Sequence, residues 1–189
     1  PDFICRFMDV CADYFVRLSE NALDCVGDNV DVVMFGDDLG TQMAPMFSPD
    51  KYRELVKPRH RRMVEALKAK TQAKVMLHSC GSIEPMLEDI IEIGVDAVNP
   101  VQVSATGMAP EHLKEAYGDR LTFWGGIDTQ DVLPFGDPDA VRGQVRRMID
   151  SMGTGGGYVL NSVHNLQADV PPENIVAMFD EARTYESSG

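Results

Sequence analysis

Ala73-Lys74-Val75-Met76-Leu77-His78-Ser79-Cys80-Gly81-Ser82-Ile83 is the stretch that decides how this chain folds. Ala73 to Leu77 reads as a short buried strand. Residues two apart on a strand point to the same side, so His78 and Cys80 project together from its C-terminal end. Ser82 can cap the helix that follows, whose Ile83, Met86, Leu87, Ile90 and Ile91 share one face and which stops at Gly94. Strand, polar turn and amphipathic helix make one β–α unit, and the rest of the chain is read by looking for its repeats.

Four more such units are present. Upstream, Val30 to Phe35 is a strand ending in Gly36-Asp37-Asp38, followed by a helix capped by Ser48 with Pro49 at its first position and Pro58 as a kink or split. Downstream, Val95 to Val98 ends in Asn99-Pro100-Val101-Gln102 and leads to a helix over Pro110 to Tyr117. Leu121 to Trp124 ends in Gly125-Gly126-Ile127-Asp128. Asp137 and Pro138 then open a helix carrying Val141, Val145, Met148, Ile149 and Met152, with Gly153 past its end. Tyr158 to Leu160 ends in a loop with His164, and Pro171-Pro172-Glu173 starts the last helix. Serial units with near-continuous apolar strands predict an α/β fold: a parallel sheet, covered by helices through right-handed crossovers.

The polar punctuation falls on one side of this pattern. Asp37, Asp38, His78, Cys80, Asn99, Gln102, Asp128 and His164 all follow strands, which is the active-site face of a β/α barrel. An imidazole and a thiolate side by side suit zinc, and His164 is available as a third ligand. The competing reading of His78 and Cys80 is a hydrogen-bonded imidazole beside a buried thiol, and spacing alone leaves both open. Asp38 and Asp128 are equally readable as helix caps. Gly153-Thr154-Gly155-Gly156-Gly157 precedes its strand, so it is read as a helix stop and turn on the opposite face, not as a phosphate cradle.

Composition bounds the function. The chain has 189 residues, 44% hydrophobic and 25% charged, with a formal net charge of -13. That charge disfavours nucleic acid and anionic lipid as partners. The basic run Arg59-His60-Arg61-Arg62 lies in a helix and is read as a solvated face. No apolar stretch reaches the length of a membrane span and no signal peptide is evident; Cys5, Cys11, Cys25 and Cys80 lack disulfide-scaffold spacing, which together point to a cytoplasmic protein. The expected organisation is a single domain over 1–189, with a leading helix over 1–27 and five units over 28–189. The leading helix has an apolar stripe (Phe3, Phe7, Val10, Tyr14, Phe15, Leu18, Leu23) that is expected to pack across an open sheet edge or a partner, and that with Cys11 and Cys25 is read as core, not as a cofactor box. A closed barrel has eight strands and typically about 250 residues. Five units leave two open sheet edges, which favour self-association into a homo-oligomer. The start at Pro1, inside a helical pattern, reads as a piece of something longer.

The motif series Phe35-Gly-Asp-Asp-Leu-Gly-Thr, Phe47-Ser-Pro, His78-Ser-Cys-Gly, Asn99-Pro-Val-Gln, Phe123-Trp-Gly-Gly-Ile-Asp128 and His164 through Asp169-Val-Pro-Pro-Glu-Asn174 resembles the uroporphyrinogen decarboxylase superfamily. That superfamily also holds zinc-dependent methyltransferases acting on methylated corrinoid proteins. The resemblance implies a TIM (β/α)8 barrel, with this chain as its C-terminal five-strand portion. In the methyltransferases zinc is held by H-x-C plus a cysteine in the last loop. His78 and Cys80 match the pair, and His164 stands at the loop position. The decarboxylases use no metal and place a carboxylate-binding histidine where His164 stands; their serine after the first of these strands is Asp37 here.

The favoured expectation is a methyltransferase with Zn2+ on His78, Cys80 and His164, a corrinoid methyl donor on a partner protein, and a thiol-type small-molecule acceptor. Asn99, Gln102 and His164 would contact substrate, with Asp37, Asp38, Asp128 and His164 as catalytic groups. The alternatives are a porphyrin or other carboxylate-substrate decarboxylase, in which an aspartate stabilises a cationic intermediate, and a catalytically silent, self-associating fragment.

Overall fold

In the computed structural model, which describes residues 2–27 and 29–186, five parallel strands form one sheet in the order β1-β2-β3-β4-β5. They are β1 (Val32–Gly36), β2 (Lys74–His78), β3 (Ala97–Asn99), β4 (Thr122–Ile127) and β5 (Tyr158–Ser162). Each pairs with the next, so sequence order and spatial order coincide, as in consecutive units of a (β/α)8 barrel. β1 and β5 are the edges. The boundary expected at residue 28, like the first residue and 187–189, lies outside the described residues.

Alternation along the strands makes two layers. On β2, Val75 and Leu77 are fully buried under the helices, while Met76 and His78 face the concave side of the sheet. The helical layer is supplied by α3 (Lys57–Lys70), α4 (Leu87–Glu92), α5 (Pro110–Tyr117), α7 (Pro138–Met148) and α8 (Pro172–Thr184). Ile90, Leu113, Val141, Val145 and Met148 close over Val98, Phe123 and Ile127 as one contiguous core. Burying each such side chain contributes about 1.5–3 kcal/mol, and this core holds the strand ends in register.

The expected helices form, with local differences. Ser48 caps α2 (Pro49–Lys51) by accepting from the Lys51 N–H, and Asp137 caps α7 by accepting from Ala140. Pro58 does not break its helix: a wider π-type turn over Tyr52–Val56 joins α2 to α3 and takes up the missing hydrogen bond and ring clash. Ser82 is not a cap. Its N–H is bonded to Thr41 O, Pro85 starts a 3-10 turn (Glu84–Met86), and the regular helix begins only at Leu87. A short helix, α6 (Val132–Phe135), was not legible. The glycine run is a turn before β5, as expected, with Gly156 N–H on Gly153 O.

Two expectations about the first helix and the basic run are corrected. α1 (Asp2–Val26) lies on α3 through Ala12 and Leu23 and through ion pairs Asp9–Arg59, Asp13–Arg62 and Asp24–Lys70. Apart from Leu23, its apolar stripe is not core: Phe3, Phe7, Val10, Tyr14, Phe15 and Leu18 are exposed. The basic run is not a uniform solvated face either. Arg59 and Arg62 clamp α1, Arg61 pairs with Glu92, and His60 is only 3% exposed. No helix among the described residues is long and apolar enough to cross a membrane, and the four cysteines are free.

Candidate functional site

The C-terminal ends of the strands form an open bowl on the concave side. One cavity of about 570 Å3 is lined by Met34, Gly36, His78, Asn99, Asn161 and His164, among others. An adjoining one of about 380 Å3 is lined by Cys80, Gln102, Thr129, Gln130 and His164. His78 and His164 therefore share one cavity, and Cys80 and His164 the next. Among the described residues, no Arg or Lys lines either.

Two loops carry the chemistry, and they are locked backbone to backbone. Ser82 N–H donates to Thr41 O at 2.8 Å, and a Cβ on Gly81 (φ +83°) would fall 2.5 Å from the carbonyl carbon of Gly40. Only glycine permits this approach. It brings Asp38 onto the Cys80 loop, where Asp38 Oδ1 accepts the Cys80 N–H at 2.8 Å. Gln102 supports the same loop by accepting the Gly81 N–H at 2.9 Å, while its own amide N–H donates to Gln42.

His78 is held in one tautomer. The Asn99 amide N–H donates to Trp124 O at 3.2 Å, which orients Asn99 so that its Oδ1 lies 2.7 Å from His78 Nδ1. An amide oxygen only accepts, so Nδ1 carries the proton and the neutral ring presents a lone pair at Nε2. Cys80 Sγ lies 3.6 Å from that Nε2. Zinc–sulfur and zinc–nitrogen bonds of about 2.3 and 2.0–2.1 Å at a tetrahedral angle put their donors about 3.5 Å apart. The pair thus fits a zinc ion, with the hydrogen-bonded imidazole typical of metal-ligating histidines. Asp38, His78 and Cys80 each offer a donor atom, all within 4.8 Å of one another.

The third donor that the structure gathers with the pair is therefore Asp38; His164 is not in that group. Burial, and then the Asp38 carboxylate, pushes the Cys80 thiol up to about 11. Without a cation the sulfur keeps its proton; a metal ion would reverse that preference.

The other candidate residues are placed as follows. Asp128 Oδ1 accepts the N–H groups of Gln130, Asp131 and Val132 at 2.9, 2.6 and 3.2 Å, which ties down the turn leading into α6, whose own cap position is Asp131. Asp37 is turned to the helical layer, where its Oδ2 lies 3.1 Å from His60 Nε2. Asn99 and Gln102 sit at the bowl as described. Sequence reasoning missed Gln42, Gln130, Asn161, Tyr52 and His60. Gln130 lies three residues past the end of β4, as Gln102 does past β3, and could have been found by the same rule; Gln42, six residues past β1, could not.

The model of the family described as uroporphyrinogen decarboxylase (URO-D) matches residues 1–185. The chain belongs to the uroporphyrinogen decarboxylase family. Uroporphyrinogen decarboxylase of Azoarcus sp. (strain BH72) is 27% identical over 189 residues, covering 98% of this chain and 49% of that protein. The enzyme of the same name from Ralstonia nicotianae is 30% identical over 130 residues, or 66% of this chain and 34% of the relative. That of Methylococcus capsulatus is 29% identical over 99 residues, 52% of this chain and 27% of its own length. This member of the family thus spans at most about half the length of these relatives. A methyltransferase from Methanosarcina mazei superposes with a TM-score of 0.74 at 20% identity, covering 93% of this chain and 47% of that one, which bears on the fold alone.

Proposed function

We propose that this protein carries the metal-binding half of a zinc-dependent methyltransferase site, moving a methyl group between a corrinoid-type donor and a thiol-type acceptor. The observation that carries the reading is the fixed His78 tautomer, with its Nε2 lone pair 3.6 Å from Cys80 Sγ and Asp38 beside both. Asp38, His78 and Cys80 would hold the ion. Bound there, zinc supplies Lewis acidity that lowers the pKa of a thiol acceptor. Asn99 keeps the imidazole aimed, Gln102 keeps the Cys80 loop in place, and His164 and Asn161 face the metal ligands as hydrogen-bonding partners for substrate. A donor presented by a corrinoid protein would approach from the open side of the bowl.

A carboxy-lyase is the second reading, supported by the names of the curated relatives. In it His164 would contact a substrate carboxylate. Metal analysis of protein purified without chelators separates the two. Stoichiometric zinc in the wild type, lost in Cys80→Ser, supports methyl transfer; a metal-free wild type refutes it.

A further inference from the structure

Asp37 and Asp38 are neighbours, yet they serve opposite sides of the sheet. Asp38 faces Cys80, whereas Asp37 reaches back to His60 on α3. His60 is only 3% exposed and Tyr52, next in line, is fully buried. A carboxylate can only accept, so His60 Nε2–H donates to Asp37 Oδ2. On the other side of the ring, Nδ1 lies 3.3 Å from the Tyr52 hydroxyl. Burial, with Asp89 and Asp37 nearby, pushes the Tyr52 phenol up, so it stays a donor.

This alignment depends on the π-type turn. At about 100° per residue, eight α-helical residues overshoot two turns by about 80°. The wider turn over Tyr52–Val56 absorbs the excess and sets Tyr52 over His60. Phe35 packs edge-on against the same imidazole, with centroids 5.4 Å apart. An apolar residue in place of His60 would be the cheaper core filler, since burying polar groups costs unless all are satisfied. What the polar chain adds is a fixed carboxylate at Asp37, whose side chain is otherwise 55% exposed and free to move.

We infer that Tyr52, His60 and Asp37 form a strut behind the candidate metal centre: by holding Asp37 they fix the peptide that aims Asp38 at Cys80 and His78. These are positioning residues, and the inference rests on the metal reading given above. The Asp37 N–H, bonded to His78 O at 3.0 Å, ties the same peptide to β2.

Titration of the full chain with Co2+ tests the strut by affinity and by spectrum. Asp37→Ala, at an exposed side chain, should fold and should weaken Co2+ binding by about 10-fold or more, the scale of lost supporting contacts to a ligand. Its d–d bands should shift toward those of Asp38→Ala, with the thiolate-to-cobalt band from Cys80 kept. Asp37→Asn, whose amide oxygen still accepts from His60, should restore wild-type binding. Adding Asp37→Ala to Asp38→Ala should change nothing further. Wild-type affinity and spectrum in Asp37→Ala, or losses that add in the double variant, overturn the strut and leave the metal centre standing. A wild-type chain that binds no Co2+ overturns both.

Discussion

Replacing Asn99 by leucine tests the tautomer argument without touching a ligand. In the wild type Asn99 Oδ1 takes the Nδ1 proton of His78 at 2.7 Å, and Asn99 is itself oriented by Trp124 O. Leucine has a similar volume but no acceptor. The imidazole is then free to carry its proton on either nitrogen and to rotate, and the Nε2 lone pair is no longer directed at the Cys80 sulfur. Removing such a supporting acceptor typically costs about 10–100-fold in metal affinity, or about 1.4–2.8 kcal/mol. Competition for zinc against a chromophoric chelator measures this directly. Asn99→Asp is the control: a carboxylate can also accept from Nδ1–H, so its zinc affinity should stay at or above the wild-type value. Asn99→Leu binding zinc as tightly as the wild type would refute the claim that this hydrogen bond prepares His78 for a metal.

Cys80, with its thiol pushed up to about 11 by burial and the Asp38 carboxylate, should expose about 100-fold less thiolate than an unperturbed cysteine below pH 9; iodoacetamide mapping of the apoprotein should label exposed Cys25 first, with Cys80 catching up only as pH rises toward its own range. Because the folded state raises this acid's pKa, its contribution to stability is intact below pH 9 and lost between about 9 and 11. Asp128→Ala should remove three turn hydrogen bonds to a carboxylate and cost about 1–2 kcal/mol, seen as a thermal midpoint about 2–8 °C lower, with zinc binding retained; loss of zinc at unchanged stability would instead make Asp128 a ligand. Gly125→Ala should cost more than about 4 kcal/mol, since its Cβ at φ +134° would fall 1.8 Å from Pro100 O, whereas Gly143→Ala, with open space around it, should be harmless. Light scattering after size exclusion should give a mass above that of one chain, because β1 and β5 each pair on one side only and α1 exposes Phe3, Phe7 and Phe15; a stable monomer contradicts this.

The strand ends were legible because two local rules agree there. Apolar runs of strand length mark where the chain enters the sheet, and the polar residue directly after each run has nowhere to go but the rim. That logic found His78, Cys80, Asn99 and Gln102, and it placed the glycine run on the other face. It could not say which of the gathered groups meet. Asp38 joins His78 and Cys80 because Gly40 and Gly81 let two loops touch, a contact between positions forty residues apart that no periodicity encodes. Ser82 failed as a cap because the chain runs on past it: the 3-10 turn over Glu84–Met86 intervenes and α4 starts only at Leu87.

His60 is the sharper lesson, because local pattern pointed the wrong way. Flanked by arginines, it looks like part of a hydrated stripe, yet on a helix its neighbours in sequence lie on other faces. Arg61 does reach outward to Glu92, while His60 turns inward beneath Phe35. The tandem aspartates divide by the strand's alternation carried one step past its end, so one carboxylate reaches the helices and the next reaches the rim. A family motif read as a string makes Asp37 and Asp38 equivalent candidates. Geometry separates them: Asp37 Oδ2 meets His60 in the helical layer, while Asp38 Oδ1 accepts the Cys80 N–H at the rim.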